Sequence, residues 1–135
     1  MHSDRNADIL RHIVSYCDDI SSTVSRFGEN YNIFLHDSVY KNATALCVLQ
    51  IGELTTHLTD QFKSEYTGIP WVQIKALRNV VAHNYGKIDE ESLWETITSD
   101  IPTLRDYCLE VISELSFNQD ELVPEEQESI DLTQV

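Results

Sequence analysis

With 135 residues, 41% of them apolar, the chain is long enough for one hydrophobic core and too short for two. It holds only 4 Gly and 3 Pro, which argues against an all-β sandwich of tight turns and for long helices. A net charge of −14 repels phosphate backbones at long range, which argues against non-specific nucleic-acid binding by a monomer.

Residues 4–27 read as a first helix. Ile9, Ile13, Tyr16, Cys17, Ile20, Val24 and Phe27 recur at three- and four-residue steps. Asp4 and Asp8 suit the N-terminal end of its dipole, and Gly28 stops it. Residues 29–36 form a connection, with Tyr31, Ile33 and Phe34 tucked against the bundle. A second helix opens at His36 or Asp37 and runs to about Phe62, on a stripe of Val39, Ala43, Leu46, Cys47, Leu54 and Leu58. Gly52 lies inside it. An interior Gly costs about 1 kcal/mol relative to Ala, and the usual structural reason for one is close approach of another helix. Glu53, beside it, reads as a solvated charge or as the partner of a cation.

Residues 63–70 are a loop punctuated by Gly68 and Pro70. Pro70 suits the first turn of a third helix, from about Trp71 to His83, with Trp71, Ile74, Leu77 and Val80 or Val81 on one face. That helix stops at Asn84-Tyr85-Gly86. Asp89 caps a fourth helix, and Glu90 and Glu91 fall in its first turn. Pro102 predicts a kink or break near 99–101, where Ser99 or Asp100 offers a fresh cap. Ile101, Leu104, Cys108, Val111, Ile112 and Leu115 carry the last helix to about Ser116. Seven acidic residues and no Lys or Arg lie between Glu114 and Val135. The reading is therefore an all-α antiparallel bundle of four to five helices over residues 1–116. Residues 117–135 form an acidic, flexible tail, either solubilising or laid along a basic groove of a partner.

Cys17, Cys47 and Cys108 are far apart, and each falls on an apolar helical face, as core thiols in a reducing compartment do. No Cys-x-x-Cys or His-x-x-x-His spacing announces a metal, and no cofactor is expected. Residues 1–5, Met-His-Ser-Asp-Arg, lack the pattern of a signal peptide, and no apolar run approaches ~20 residues. A cytoplasmic protein with no membrane partner is expected.

The densest chemistry lies at residues 77–86, Leu-Arg-Asn-Val-Val-Ala-His-Asn-Tyr-Gly. Arg78, Asn79, His83 and Tyr85 stand there within eight positions. On an ideal helix Asn79 and His83 share a face, whereas Arg78 and His83 lie about 140° apart. A distorted helix end brings the last two together, as does a second copy facing the first across a two-fold axis. An imidazole that titrates near neutrality and a permanently charged guanidinium suit phosphodiester cleavage without a metal. The first moves a proton at a 2′-hydroxyl or a 5′-oxygen; the second neutralises phosphate oxygens. DNA has no 2′-hydroxyl, so the pair favours RNA over DNA. Asn79 can orient His83, and Lys75 and Lys87 can add RNA contacts. Taken alone, an Arg and a His near a helix C-terminus serve the helix dipole more readily than catalysis.

The run Arg78-Asn-Val-Val-Ala-His83-Asn-Tyr85 has the form Arg-x4-His-x-Tyr. With Ile51-Gly52-Glu53, Ile69-Pro70-Trp71, Asp89 to Trp94 and Ile101-Pro102-x-Leu104 in the same order, it resembles the HEPN superfamily. Within it the chain is most similar to the HepT-like ribonuclease toxins that accompany minimal nucleotidyltransferase antitoxins. The likeness covers roughly residues 5–115. It implies a homodimeric helical bundle whose two motif copies line one cleft. It implies metal-independent RNA cleavage by Arg78 and His83 through 2′-hydroxyl attack, leaving a 2′,3′-cyclic phosphate, with Asn79 and Glu53 in support. Tyr85 would be where the nucleotidyltransferase attaches AMP and so blocks the cleft. A charge of −14 departs from what a ribonuclease needs. Either the cleft gathers Lys75, Arg78 and Lys87 from both subunits, or RNA binding is weak and salt-sensitive, or the chain is a non-catalytic module that partners a nucleotidyltransferase.

Overall fold

A computed structural model describes residues 2–82 and 89–122, with side chains placed over 5–78 and 89–117. The elements are α1 (His2–Phe27), α2 (Tyr31–Leu35), α3 (Ser38–Thr55), α4 (Asp60–Glu65), α5 (Trp71–Ala82), α6 (Glu90–Glu95) and α7 (Ile101–Leu122). No strand occurs among the described residues. The fold is an all-α, HEPN-like bundle in which four long rods carry the core and α2 and α4 are short links.

Neighbouring rods run antiparallel. At one end Tyr40 Oη, at the start of α3, donates to the carbonyl of Gly28 just past α1, at 3.0 Å. At the other end Asn6, near the start of α1, meets Thr59 just past α3. α5 returns along α3, and α7 lies along α1 with Arg105 paired to Asp18. Inward faces of α1 (Leu10, Ile13, Cys17, Ile20), α3 (Val48, Ile51) and α7 (Ile101, Leu104, Cys108, Val111) fill the centre. Burial raises the thiols of Cys17 and Cys108 to about 12, so they are apolar filler and not nucleophiles. At the end where α1 meets α2, Phe27 stacks on Tyr40 at 5.0 Å, and Phe34 meets both Tyr40 and Trp94 at 5.0 Å. These rings lock α1, α2, α3 and α6 together.

Local rules explain most boundaries. Gly28 has φ +108, a left-handed conformation that favours glycine, and it ends α1 as expected. Asp37 accepts from the N–H groups of Val39 and Tyr40 and opens α3. Asp89 accepts from Ser92 N–H and Oγ–H, bonds that hold its carboxyl below the usual range.

Several expectations need correction. The connection 29–36 contains a helical turn, α2, capped by Asn30. The second helix ends at Thr55 rather than Phe62, because Thr59 caps a separate α4. Asn6 fixes that break from α1: it donates to Thr59 Oγ1 and accepts from Thr59 N–H, both at 3.2 Å. The buried stripe of α3 also differs. Tyr40, Thr44, Ala45, Val48, Ile51 and Thr55 face inward, whereas Val39 and Leu46 are 62% and 56% exposed. The threonines are cheap to bury because each hydroxyl donates to its own helix, Thr44 to Tyr40 O and Thr55 to Gly52 O. Last, the kink or break expected near 99–101 is a local widening of the helix rather than a stop and a fresh cap. A π-helical turn at Thr96–Asp100 joins α6 to α7, and Ile101 N–H reaches back to Thr96 O. The wider turn absorbs the donor that proline lacks. α7 continues to Leu122, past the expected end at Ser116; no Gly or Pro stands before Pro124.

Asn6→Ala removes both cross-links to Thr59. At about 1 kcal/mol for each hydrogen bond, it should lower unfolding stability by about 2 kcal/mol in a urea titration. An unchanged midpoint would show that Asn6 does not set the α3–α4 break.

Candidate active site

The site is built where α3 and α5 cross. Gly52 is fully buried on α3. A Cβ placed there would come within 2.9 Å of Arg78 Cβ, 3.1 Å of Arg78 N and 3.4 Å of Lys75 O. Two of those three atoms are backbone, which cannot swing aside. The missing side chain therefore lets the α5 backbone lie directly on α3, the reason expected for an interior glycine. That approach brings the Arg78 guanidinium to the next residue of α3. Arg78 Nη1 donates to Glu53 Oε1. The two side chains are 32% and 48% exposed. Glu53 is thus a partner of a cation at the surface rather than a lone solvated charge.

A half-exposed pair adds only about 0–1 kcal/mol to stability. Its effect is geometric. One arm of the guanidinium is tethered, and the donors on Nε and Nη2 make no other hydrogen bond among the described residues. Those donors form a fork suited to two oxygens of one phosphate or carboxylate.

Lys75 is exposed one turn before Arg78, and no carboxylate lies within ion-pairing distance of it among the described residues. Asn79 belongs to α5, but its side chain lies outside the described set. His83, Tyr85 and Lys87 also lie outside the described residues. The structure therefore joins Arg78 to Glu53 and sets Lys75 next to them along α5. Among the described residues, no three His, Cys, Asp or Glu side chains converge in a way that could hold a metal ion. None of their helices is long and apolar enough to cross a membrane.

The family profile described as "Ribonuclease HepT-like" matches residues 10–111, most of the chain. The chain belongs to the HepT-like ribonuclease family. "Putative RNase TTE0752" of Caldanaerobacter subterraneus subsp. tengcongensis is 28% identical over 103 residues, covering 76% of this chain and 90% of that protein. "Putative RNase MJ0125" of Methanocaldococcus jannaschii is 27% identical over 106 residues, covering 78% and 90%. "Probable ribonuclease HepT" of Thermococcus cleftensis is 28% identical over 95 residues, covering 67% and 86%. No solved structure matches the chain. Gly52, Glu53 and Arg78 all fall inside the segment matched by this HepT-like profile.

A groove beside Lys75 had no signal in the sequence. It lies between α4 and the start of α5, and Lys63 lines it. A lone Lys in a polar stretch cannot be told from ordinary surface charge; only the fold places it opposite Lys75.

Gly52→Ala is the direct test of the crossing. Overpacking costs about 1–3 kcal/mol, while the better helix propensity of Ala returns about 1, so a net loss of about 1–2 kcal/mol is expected. Urea unfolding measures it. A stabilised Gly52→Ala variant would mean that α5 does not rest on Gly52.

Proposed function

We propose that the protein is the metal-independent endoribonuclease toxin of a two-gene toxin–antitoxin pair, acting as a homodimer in the cytoplasm. The observation that carries this reading is the tethered Arg78 guanidinium in a chain of the HepT-like ribonuclease family. A relative named as a ribonuclease HepT, 28% identical, supports it. In the reaction, His83 takes the proton of a 2′-hydroxyl. The 2′-oxygen then bonds to the adjacent phosphorus, the bond to the 5′-oxygen breaks, and an imidazolium returns a proton to that leaving oxygen. The products are a 2′,3′-cyclic phosphate and a 5′-hydroxyl. Arg78 neutralises the phosphate oxygens as charge builds on them, and Glu53 keeps the guanidinium in place. Asn79 supports His83, and Lys75 and Lys87 add contacts to the strand.

The roughly 140° that separate Arg78 from His83 on a straight helix favour a cleft shared by two copies. Tyr85 is the position this reading assigns to regulation. A minimal nucleotidyltransferase antitoxin would bond the phenol oxygen to AMP, releasing pyrophosphate from ATP. The added charge and bulk would exclude RNA. The acidic segment 117–135 is a candidate contact for that antitoxin. The net charge of −14 supports a second reading, a non-catalytic module that partners a nucleotidyltransferase.

Purified protein incubated with RNA separates the two. The ribonuclease reading predicts cutting that persists in excess chelator, leaves cyclic phosphate ends, and falls by about 10²–10⁴-fold in His83→Ala, the usual worth of an acid–base residue. RNA left intact by wild type, or cut only without chelator, contradicts it.

A further inference from the structure

We infer that the groove between α4 and the start of α5 is a subsite for single-stranded RNA, holding the strand next to the phosphate at Arg78; this rests on the ribonuclease reading. The groove has a volume of about 540 Å³. That lies within the ~300–1,000 Å³ range of pockets that take drug-sized molecules, enough for about a nucleotide.

Its charge sets it apart. The chain has 23 acidic and 9 basic residues, yet the groove is lined by two lysines, Lys63 and Lys75, and by no Asp or Glu. The smaller cavity that adjoins it, sharing Ile69, Pro70 and Gln73, contains Asp100, and a separate one contains Glu29. Lys63 has one acidic neighbour, Asp60, at 3.9 Å and fully exposed, too loose a pairing to occupy it. Lys75 faces the groove from α5, three residues before Arg78 and about 4.5 Å along the helix axis from it. Two cations thus line the groove, and a third, the tethered Arg78 guanidinium, follows one turn further along α5. In a molecule whose overall field repels RNA, such a group of cations is the local attraction that a strand requires.

The remaining lining suits a nucleotide. Gln73 and Ser64 offer donors and acceptors, and Val72, 79% exposed, gives an apolar rim for a base. The walls are fixed in advance. Trp71 Nε1–H donates to Tyr66 O at 2.6 Å, and Gly68 N–H donates to Tyr107 Oη at 3.1 Å. A Cβ on Gly68 would clash with Tyr107 Cε1, so the loop lies close against α7. A groove with rigid walls binds without first having to order a loop. An open cleft of about one nucleotide's volume suits an unpaired strand, whose bases are free to enter it, rather than a duplex.

The test is fluorescence anisotropy on the full-length protein with a short single-stranded 2′-O-methyl RNA, which has no attacking hydroxyl. Lys63→Gln/Lys75→Gln removes two phosphate contacts, so the log–log salt slope should become shallower by about 1.4. If affinities converge near ~1 M salt, that slope makes the variant bind about 25-fold more weakly at ~0.1 M. Arg26→Gln, at the end of α1, controls for bulk charge and should bind like wild type. Wild-type affinity and slope in the double variant would overturn the proposal, and so would equal losses with a duplex probe. If natural RNA is cut while the double variant binds like wild type, the groove assignment fails and the ribonuclease reading stands. If the groove binds RNA as described and nothing is cut, the reverse holds.

Discussion

The bare backbone at Gly52 is the constraint on which the candidate site depends. Only without a Cβ can α5 lie so close to α3, and only at that distance does Arg78 meet Glu53. The ion pair stabilises the fold little, because both partners keep solvent. It holds one guanidinium arm and leaves a fork of donors pointing outward, which a freely rotating surface arginine would not maintain. The energy for this arrangement comes from elsewhere: the packed faces of α1, α3 and α7 and the ring cluster of Phe27, Phe34, Tyr40 and Trp94. The site sits on rods that are stable without it.

Charge shapes the molecule in the same way. Most of the surface is acidic, and several described cations are matched to a carboxylate: Arg11 to Asp8, Lys41 to Glu90, Arg105 to Asp18. Against that background the run from Lys63 through Lys75 to Arg78 stands out, since no carboxylate lines the groove and Glu53 occupies only part of Arg78. A phosphate chain approaching this protein meets repulsion nearly everywhere else. Affinity gained that way is local and strongly dependent on salt.

Several of these features were legible in the sequence because they are local. Gly28 ends α1, Asp37 and Asp89 cap their helices, and Gly52 marks a close crossing, each for a reason carried by the residue itself. The resemblance to HepT-like ribonucleases agrees with the family to which the chain belongs. What escaped depends on neighbours distant in sequence. Asn6 bonds to Thr59 across 53 residues and divides what periodicity reads as one helix. Thr44 and Thr55 bury where a hydropathy stripe would place Val39 and Leu46, because backbone carbonyls of their own helix satisfy them. Pro102 announces a kink or break, but not that a π-helical turn carries the helix through it. The groove lined by Lys63 and Lys75 depends on the loop between α4 and α5, which Tyr107 of α7 holds at Gly68 and Tyr66 holds at Trp71.

In the proposed reaction Gly52 and Glu53 hold the Arg78 fork where a phosphate is to be cut. Single-turnover cleavage of RNA by Arg78→Lys tests it most directly, since the charge is kept and the planar fork is lost. The predicted result is a rate about 10²-fold below wild type, with an unchanged helical spectrum. A rate within about twofold of wild type would contradict the account, because a point charge would then do everything assigned to the fork.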